Sequence, residues 1–428
     1  MNVIRILCLL ALLISANQAR AITADLIFLG NVITIDADQP KAEAVAVTGD
    51  KIVAVGKREV VLDLASESTR IVDLGENALL PGFIDAHGHM AMYGSVTQMI
   101  NLSSPPVGPV NNISDVISIL KAKIEEDAIS PGDWIFGYGY DDSLIAERRH
   151  PNRDDLDEAS SEHPIALTHV SGHLMTSNTM ALEAANITSS SQDPAGGVIR
   201  RRPGTNEPNG VLEESATYPL RAPMIKMSTP ERTIKAMHDS ASAYASFGIT
   251  TVQDGGSSPM MVELYRQAAK VSPFPVDVVA YIFGNSATES ELDTIIAEDY
   301  LNGFRVGGVK LLLDGSPQGR TAYLSKPYNQ GPPGADKKYR AYPVIEQEEY
   351  DKRIARLISN GTPVLTHANG DAAIDMMIDG VDKAIAGGEI PDHRSVIIHA
   401  QLIREDQLHR VKRLGLVPSY YAAHPFFW

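Results

Sequence analysis

The stretch "LLPGFIDAHGHM" (79–90) decides how the rest of the chain is read. An apolar run passes through a Pro-Gly turn signal into a short strand-like segment, and His87 and His89 follow one residue apart. On extended chain, side chains at i and i+2 project to the same side. Imidazole is a standard ligand for zinc and similar divalent ions. Taken alone the pair is a weak signal, because two polar loop histidines give the same pattern.

Working outward, six further apolar runs recur downstream: "GITTVQDGG" (248–256), "VDVVAYI" (276–282), "GGVKLLLDG" (307–315), "TPVLTHANGD" (362–371), "SVIIHAQ" (395–401) and "GLVPSYYA" (415–422). Helical stretches lie between several of them, such as "TPERTIKAMHDSASAYASF" (229–247) and "EQEEYDKRIARLISN" (346–360). Strands buried on both faces and alternating with helices predict a parallel α/β sheet, most simply a (β/α)8-type barrel. Seven strands are counted where a closed barrel has eight. Residues 100–225 break the rhythm and read as an insertion between the first and second barrel strands, where added chain commonly shapes a substrate site.

Ahead of the barrel, "DLIFLGNVITID" (25–36), "AVAVTGDKIVAVG" (44–56) and "TRIVDLGENALLPG" (69–82) are Val/Ile-rich runs broken by Gly-Asn, Gly-Asp and Gly-Glu turn pairs. They predict part of a small β-sandwich. The expected division is a leader over 1–21, a sandwich portion over 22–80 and a barrel over 81–428. In the leader, Arg5 precedes the apolar run "ILCLLALLIS" (6–15), and "ARA" (19–21) has the small residues that a signal peptidase cuts after. The run is short for a spanning helix. The expectation is therefore a secreted or periplasmic protein with no stable membrane insertion after cleavage.

Composition narrows the chemistry. The 428 residues are 44% hydrophobic and 21% charged, ordinary for a globular chain. The net charge of −16 argues against a nucleic-acid partner held by a basic surface. The one cysteine, Cys8, lies in the leader, so neither disulfides nor thiolate metal sites are available to the mature chain. Any metal is left to histidines, carboxylates or a modified side chain. The composition leaves oligomerisation open.

The later strands add weight to the histidine pair. Lys310 in "VKLLLDG", His367 in "LTHANGD" and His399 in "IIHAQ" each place a polar group near the C-terminal end of an apolar strand. Burying such groups is costly unless they are paired or coordinated, and catalytic groups of these barrels come from that level of several strands. Five residues at one level point to a divalent metal site.

Together with "SGHLMTSNTMAL", "GGVIRRRPGTNEPNGVLEES", "FGITTVQDGG", "VKLLLDGSPQGRTA", "HANGDAAID" and "HAQLI", the opening stretch resembles the metal-dependent amidohydrolase superfamily. More closely, it resembles the amidohydrolase family 3 branch that includes N-substituted formamide deformylase-like enzymes. The resemblance runs over residues 25–428 in order. It implies a hydrolase of a non-peptide C–N bond in a small-molecule substrate, either an amide or an N-substituted formamide. One or two divalent ions, expected to be Zn2+, would generate the hydroxide nucleophile and polarise the carbonyl. His87 and His89 would hold one ion, His367 and His399 a second or the other side of the same site, and Lys310 would bridge as a carbamate. An unmodified Lys310 paired with Asp314 is the alternative. His173, in "SGHLMTSN", would face the substrate and stabilise the oxyanion, unless it is an ordinary hydrogen-bonded histidine. Asp314 and Asp371 read as turn or supporting residues, and Arg320 as an anion ligand or a salt-bridge partner. The other histidines (150, 163, 169, 238, 393, 409 and 424) have no spacing that argues for a role.

Two departures qualify the resemblance. Where the family reads Ile-Glu-His, this chain has Ile397-Ile398-His399. The family also carries an aspartate at the end of an eighth strand, and no residue before the final "HPFFW" can be assigned to it. The expectation is a truncated, impaired hydrolase. The same centre would serve a lactone, carbamate or cyclic imide, and a catalytically inactive small-ligand-binding remnant is the reading from another class.

Overall fold

The computed structural model describes residues 23–421 and 424, except 171, 173, 195–196, 228, 286, 318–319, 332–335, 386–387 and 389–390. The expected leader therefore lies outside the described residues. The chain divides into two compact units, Met1–Phe83 and Ile84–Trp428.

In the first unit, β1 (Leu26–Ile33), β2 (Lys41–Thr48), β3 (Lys51–Gly56) and β4 (Arg70–Leu79) form one sheet in the order β3-β2-β1-β4. The β2–β3 pair is a hairpin turned at Gly49, whose φ of 59° suits glycine. Ile27, Leu29, Ala44 and Ala46 turn to one face and pack with Val61 of the short helix Arg58–Leu62. The expected sandwich portion is thus, among the described residues, a single sheet with its apolar face against a helix. Its strands are short and its core is small, and the turn pairs that announce hairpins say nothing about a second layer.

The division between the units falls within β5 (Phe83–Ile84). Then β6 (Ile100–Asn101), β7 (Ile135–Tyr140), β8 (Ile165–His169), β9 (Leu174–Ser177), β10 (Gly197–Arg201) and β11 (Pro208–Glu214) make a mixed six-stranded sheet, ordered β10-β11-β9-β8-β7-β6. Its two faces are read along β8: Ile165 and Leu167 join one core cluster with Leu120 and Leu156, while Ala166 joins another with Met175 and Leu212. That alternation is the period of two that a pleated strand imposes.

The seven runs singled out in the sequence are the seven strands of one further sheet. They are β5, β12 (Ile249–Ser257), β13 (Asp277–Phe283), β14 (Phe304–Leu312), β15 (Val364–Ala368), β16 (Val396–His399) and β17 (Val417–Tyr420), neighbours in that order. From β12 to β17 every pairing is parallel. The helices Pro259–Val271, Glu289–Thr294, Gln347–Ser359, Asp371–Ile385 and Glu405–Arg413 alternate with these strands, as an α/β barrel requires. Sequence punctuates the helix starts: the side chains of Thr229 and Ser258 accept from the third backbone N–H of their helices, each with proline at the first position. Among the described residues no helix is long and apolar enough to cross a membrane.

Candidate metal centre

Parallel strands in register bring the polar residues toward one edge of the sheet, within a few residues of one another. Lys310 pairs with Phe283 on one side and Leu365 on the other, His367 with Leu312, and His399 with Ala368. His87 and His89 lie in the turn past the end of β5, after two intervening residues, and Asp85 donates its backbone N–H to the Thr251 carbonyl, anchoring that turn to β12. All five expected ligands therefore stand at the C-terminal edge of the sheet, and they meet. The His87 ring centroid is 5.1 Å from that of His89 and 5.4 Å from that of His399, and His367 and His399 are 4.7 Å apart. Lys310 Nζ lies 3.3 Å from His87 Nε2.

The centre is electrostatically unusual because Lys310 is buried and the four histidines around it are partly buried. Lys310 is 4% exposed, and burial alone brings its ammonium down to about 7. Burial, followed by the nearby Lys310 charge, pushes His87 down to about 3. His367 falls to about 4, chiefly through burial, and His399 to about 2 through burial and the other histidines. These are imidazoles kept neutral, the protonation state in which a histidine ligates a metal. Their hydrogen bonds also orient the rings. His87 Nδ1 lies 2.8 Å from Gln253 Oε1, an acceptor, so Nδ1 carries the proton and Nε2 the lone pair. His367 Nε2 lies 3.0 Å from the Gly315 carbonyl and 3.1 Å from Asn369 Nδ2, so the loops after β14 and β15 both hold its ring. Four neutral imidazoles and a lysine with no carboxylate partner among the described residues fit a divalent cation, with Lys310 completing the set once it carries an anionic carbamate.

Asp314 does not pair with Lys310 among the described residues. It is fully buried and accepts from the backbone N–H of Asn369 (2.9 Å), Gly370 (2.7 Å) and Tyr323 (2.9 Å). The carboxylate thus clamps the loops after β14 and β15, with His367 Nε2 3.7 Å away. Burial raises its pKa to about 6 against the pull of those three bonds. Asp371, first residue of its helix, accepts from Ser325 N at 2.8 Å and from Arg404 Nη1 at 2.9 Å, away from the five. Arg320 sits in a left-handed turn (φ 57°) whose carbonyl accepts from Tyr339 Oη. His173 lies outside the described residues.

Two features escaped the sequence reading. His424, given no role there, has its ring 5.7 Å from that of His399. His169, also set aside, forms with Asp141 and Asp142 a group whose ligand atoms lie within 4.8 Å of one another. In that group His169 Nε2 is 3.0 Å from Asp142 Oδ1, while Ser143 N and Oγ bond Asp141 Oδ1, so the carboxylates are already engaged. A polar cluster at the junction of β7 and β8 has no periodic signature, which is why sequence alone passed over it.

Residues 70–428 match the amidohydrolase family. The chain is 27% identical over 402 residues to the N-substituted formamide deformylase of Arthrobacter pascens, covering 91% of this chain and 71% of that one. It is 26% identical over 434 residues to the protein LONG AFTER FAR-RED 3 of Arabidopsis thaliana, covering 96% and 70%. Among solved structures, an uncharacterized metal-dependent hydrolase from Pyrococcus horikoshii superposes with a TM-score of 0.69 at 24% identity, covering 92% of this chain and 74% of that one.

Proposed function

The chain belongs to the amidohydrolase family of metal-dependent hydrolases, and from that premise we propose that it hydrolyses a carbon–nitrogen bond of a small molecule, an amide or N-substituted formamide. The observation that carries this reading is the convergence of His87, His89, His367 and His399 on the buried Lys310 at the C-terminal ends of parallel strands. A divalent ion bound there, most simply Zn2+, acidifies water into a nucleophile and polarises the substrate carbonyl. His87 and His89 hold one side of the centre, and His367 and His399 hold the other. Lys310, as a carbamate, would supply an anionic oxygen ligand to the centre. With its ammonium brought down to about 7, it offers a neutral amine at mildly alkaline pH, which adds carbon dioxide and releases a proton. His173 offers its N–H to the developing oxyanion. The leader over 1–21 directs the protein to the periplasm or the exterior.

The test is made on residues 22–428, purified and loaded with Zn2+ in bicarbonate buffer. A panel of N-substituted formamides, simple amides, lactones, carbamates and cyclic imides is followed for product release, and metal is counted per chain. The expected result is at least one bound ion and slow, chelator-sensitive release of amine from the formamide or amide members, as an impaired hydrolase gives. Turnover confined to lactones or imides would redirect the substrate class. Bound metal with no hydrolysis across the panel would leave a ligand-binding protein, and neither metal nor hydrolysis would overturn the reading.

A further inference from the structure

Strand β12 runs beside β5, and its segment "VQDGG" (252–256) lies against the His87–His89 turn. Gln253 Oε1 is 2.8 Å from His87 Nδ1. Gly255 donates its N–H to the Gly88 carbonyl at 2.8 Å, which brings the two backbones into contact. A Cβ at Gly255 would stand 2.4 Å from His87 Cε1 and 2.7 Å from its Nδ1, closer than side-chain atoms approach one another. A Cβ at Gly256 would meet His89 only at ordinary contact, 3.7 Å. Between them Asp254 turns its carboxylate the other way, to Ser257 and Tyr265.

We infer that Gln253 and Gly255 are positioning residues for the metal centre: Gln253 fixes the tautomer and ring orientation of His87, and Gly255 leaves the space that the ring occupies. This rests on the metal-centre reading above and adds to it the source of His87's orientation. With Nδ1–H tied to an amide oxygen, Nε2 is the lone-pair nitrogen and faces Lys310 Nζ at 3.3 Å. Without that acceptor the ring exchanges tautomers and rotates, and each binding event must reorder it. Outer partners of this kind are typically worth about 10–100-fold in metal affinity. A neutral glutamine does this without adding a charge to a centre whose carbamate already supplies one.

The experiment measures Zn2+ affinity by chelator competition for the wild type, Gln253→Leu, Gln253→Glu and Gly255→Ala, along with the thermal midpoint of each metal-free protein. The inference expects Gln253→Leu to lose about 10–100-fold in affinity with its metal-free midpoint near that of the wild type. Gln253→Glu, which keeps an acceptor at the same reach, should bind close to wild type, and Gly255→Ala should bind more weakly. Equal affinity for Gln253→Leu and wild type would overturn the inference. Equal losses for Gln253→Leu and Gln253→Glu would overturn it as well, since they would report packing rather than an acceptor. Should Gly255→Ala fail to fold, the two Gln253 variants still decide. A wild-type protein that retains no ion would overturn the metal reading, and this inference with it, before any variant is compared.

Discussion

Lys310 is placed where an unmodified lysine is a liability. It lies 4% exposed near the C-terminal end of β14 with no carboxylate partner among the described residues. Burying an ammonium without a counter-charge is costly, and Met fills a similar volume without that cost. Metal-free Lys310→Met is therefore expected to gain about 0.5–2 kcal/mol in urea unfolding while losing metal and hydrolysis, the usual exchange of stability for function. The sign follows from a depressed base: 10.5 when unfolded and about 7 in the fold. The gain is full below pH 7 and vanishes as pH rises toward 10.5. An unchanged urea midpoint at pH 6 would count against the buried, unpaired ammonium. His367 gives a companion prediction, since its folded value is about 4 against 6.5 unfolded. In the metal-free protein its contribution is present above pH 6.5 and is lost as pH falls through 4, at about 1.4 kcal/mol for each pH unit crossed. His367→Asn should make the acid branch of the stability curve shallower in that window; parallel branches would show that His367 is not held neutral by burial. Both residues were visible in the sequence because each interrupts an apolar strand. Gln253 was not, because a polar residue just before Gly-Gly reads as a strand end entering a turn. The left-handed backbone of His399, φ 71°, leaves no trace in residue type either.

At the level of elements, the join between β12 and the helix Pro259–Val271 depends on one buried carboxylate. Asp254 is 3% exposed, and its Oδ2 accepts from Ser257 Oγ at 2.9 Å and from Tyr265 Oη at 2.8 Å. His89 and Asp254 also form an isolated β-bridge, so the strand, the helix and the ligand turn share this point. Tyr265→Phe keeps the ring but removes a donor from a buried anion, which should cost about 1–3 kcal/mol. Chemical denaturation checks it, and a variant as stable as the wild type would show that Ser257 suffices. The seven strands of the parallel sheet were legible because each is a short apolar run between helices. The inner ones, such as β14 and β15, are buried on both faces, although the edge strands β5 and β17 are largely exposed. The six-stranded sheet was not. Its neighbours β9 and β11 are separated in sequence by β10 and by the helix Thr179–Ala184, and apolar periodicity does not report which strands pair. In the first unit, one of the three expected turn pairs, Gly49-Asp50, is a hairpin turn, while Gly30-Asn31 lies inside β1 and Gly75-Glu76 inside β4, and such pairs do not reveal how many layers a sheet has.

At the scale of the molecule, the centre gathers residues from the start of the second unit, His87, and from near its end, His399, and fastens them across four strands. A ligand that binds only this folded arrangement stabilises it by RT ln(1 + [L]/Kd), about 2.7 kcal/mol at a hundredfold excess over Kd. The unit 84–428 contains all five proposed ligands, while 23–83 contains none. Zn2+ should therefore slow amide exchange in β5, β12, β14, β15 and β16 together and leave exchange in β1–β4 unchanged. The control matters because the chain carries a net charge of −16, and an acidic surface collects cations without any built site. Diffuse binding of that kind is screened at physiological ionic strength, where the Debye length is about 8 Å, and it singles out no set of strands. Ligation by partly buried, neutral imidazoles is far less sensitive to salt. Hydrogen exchange followed by mass spectrometry, with and without Zn2+ at about 0.15 M salt, separates the two. Protection spread evenly over both units, or lost on adding salt, would mean that Zn2+ binds the acidic surface and not the five residues that the sheet brings together.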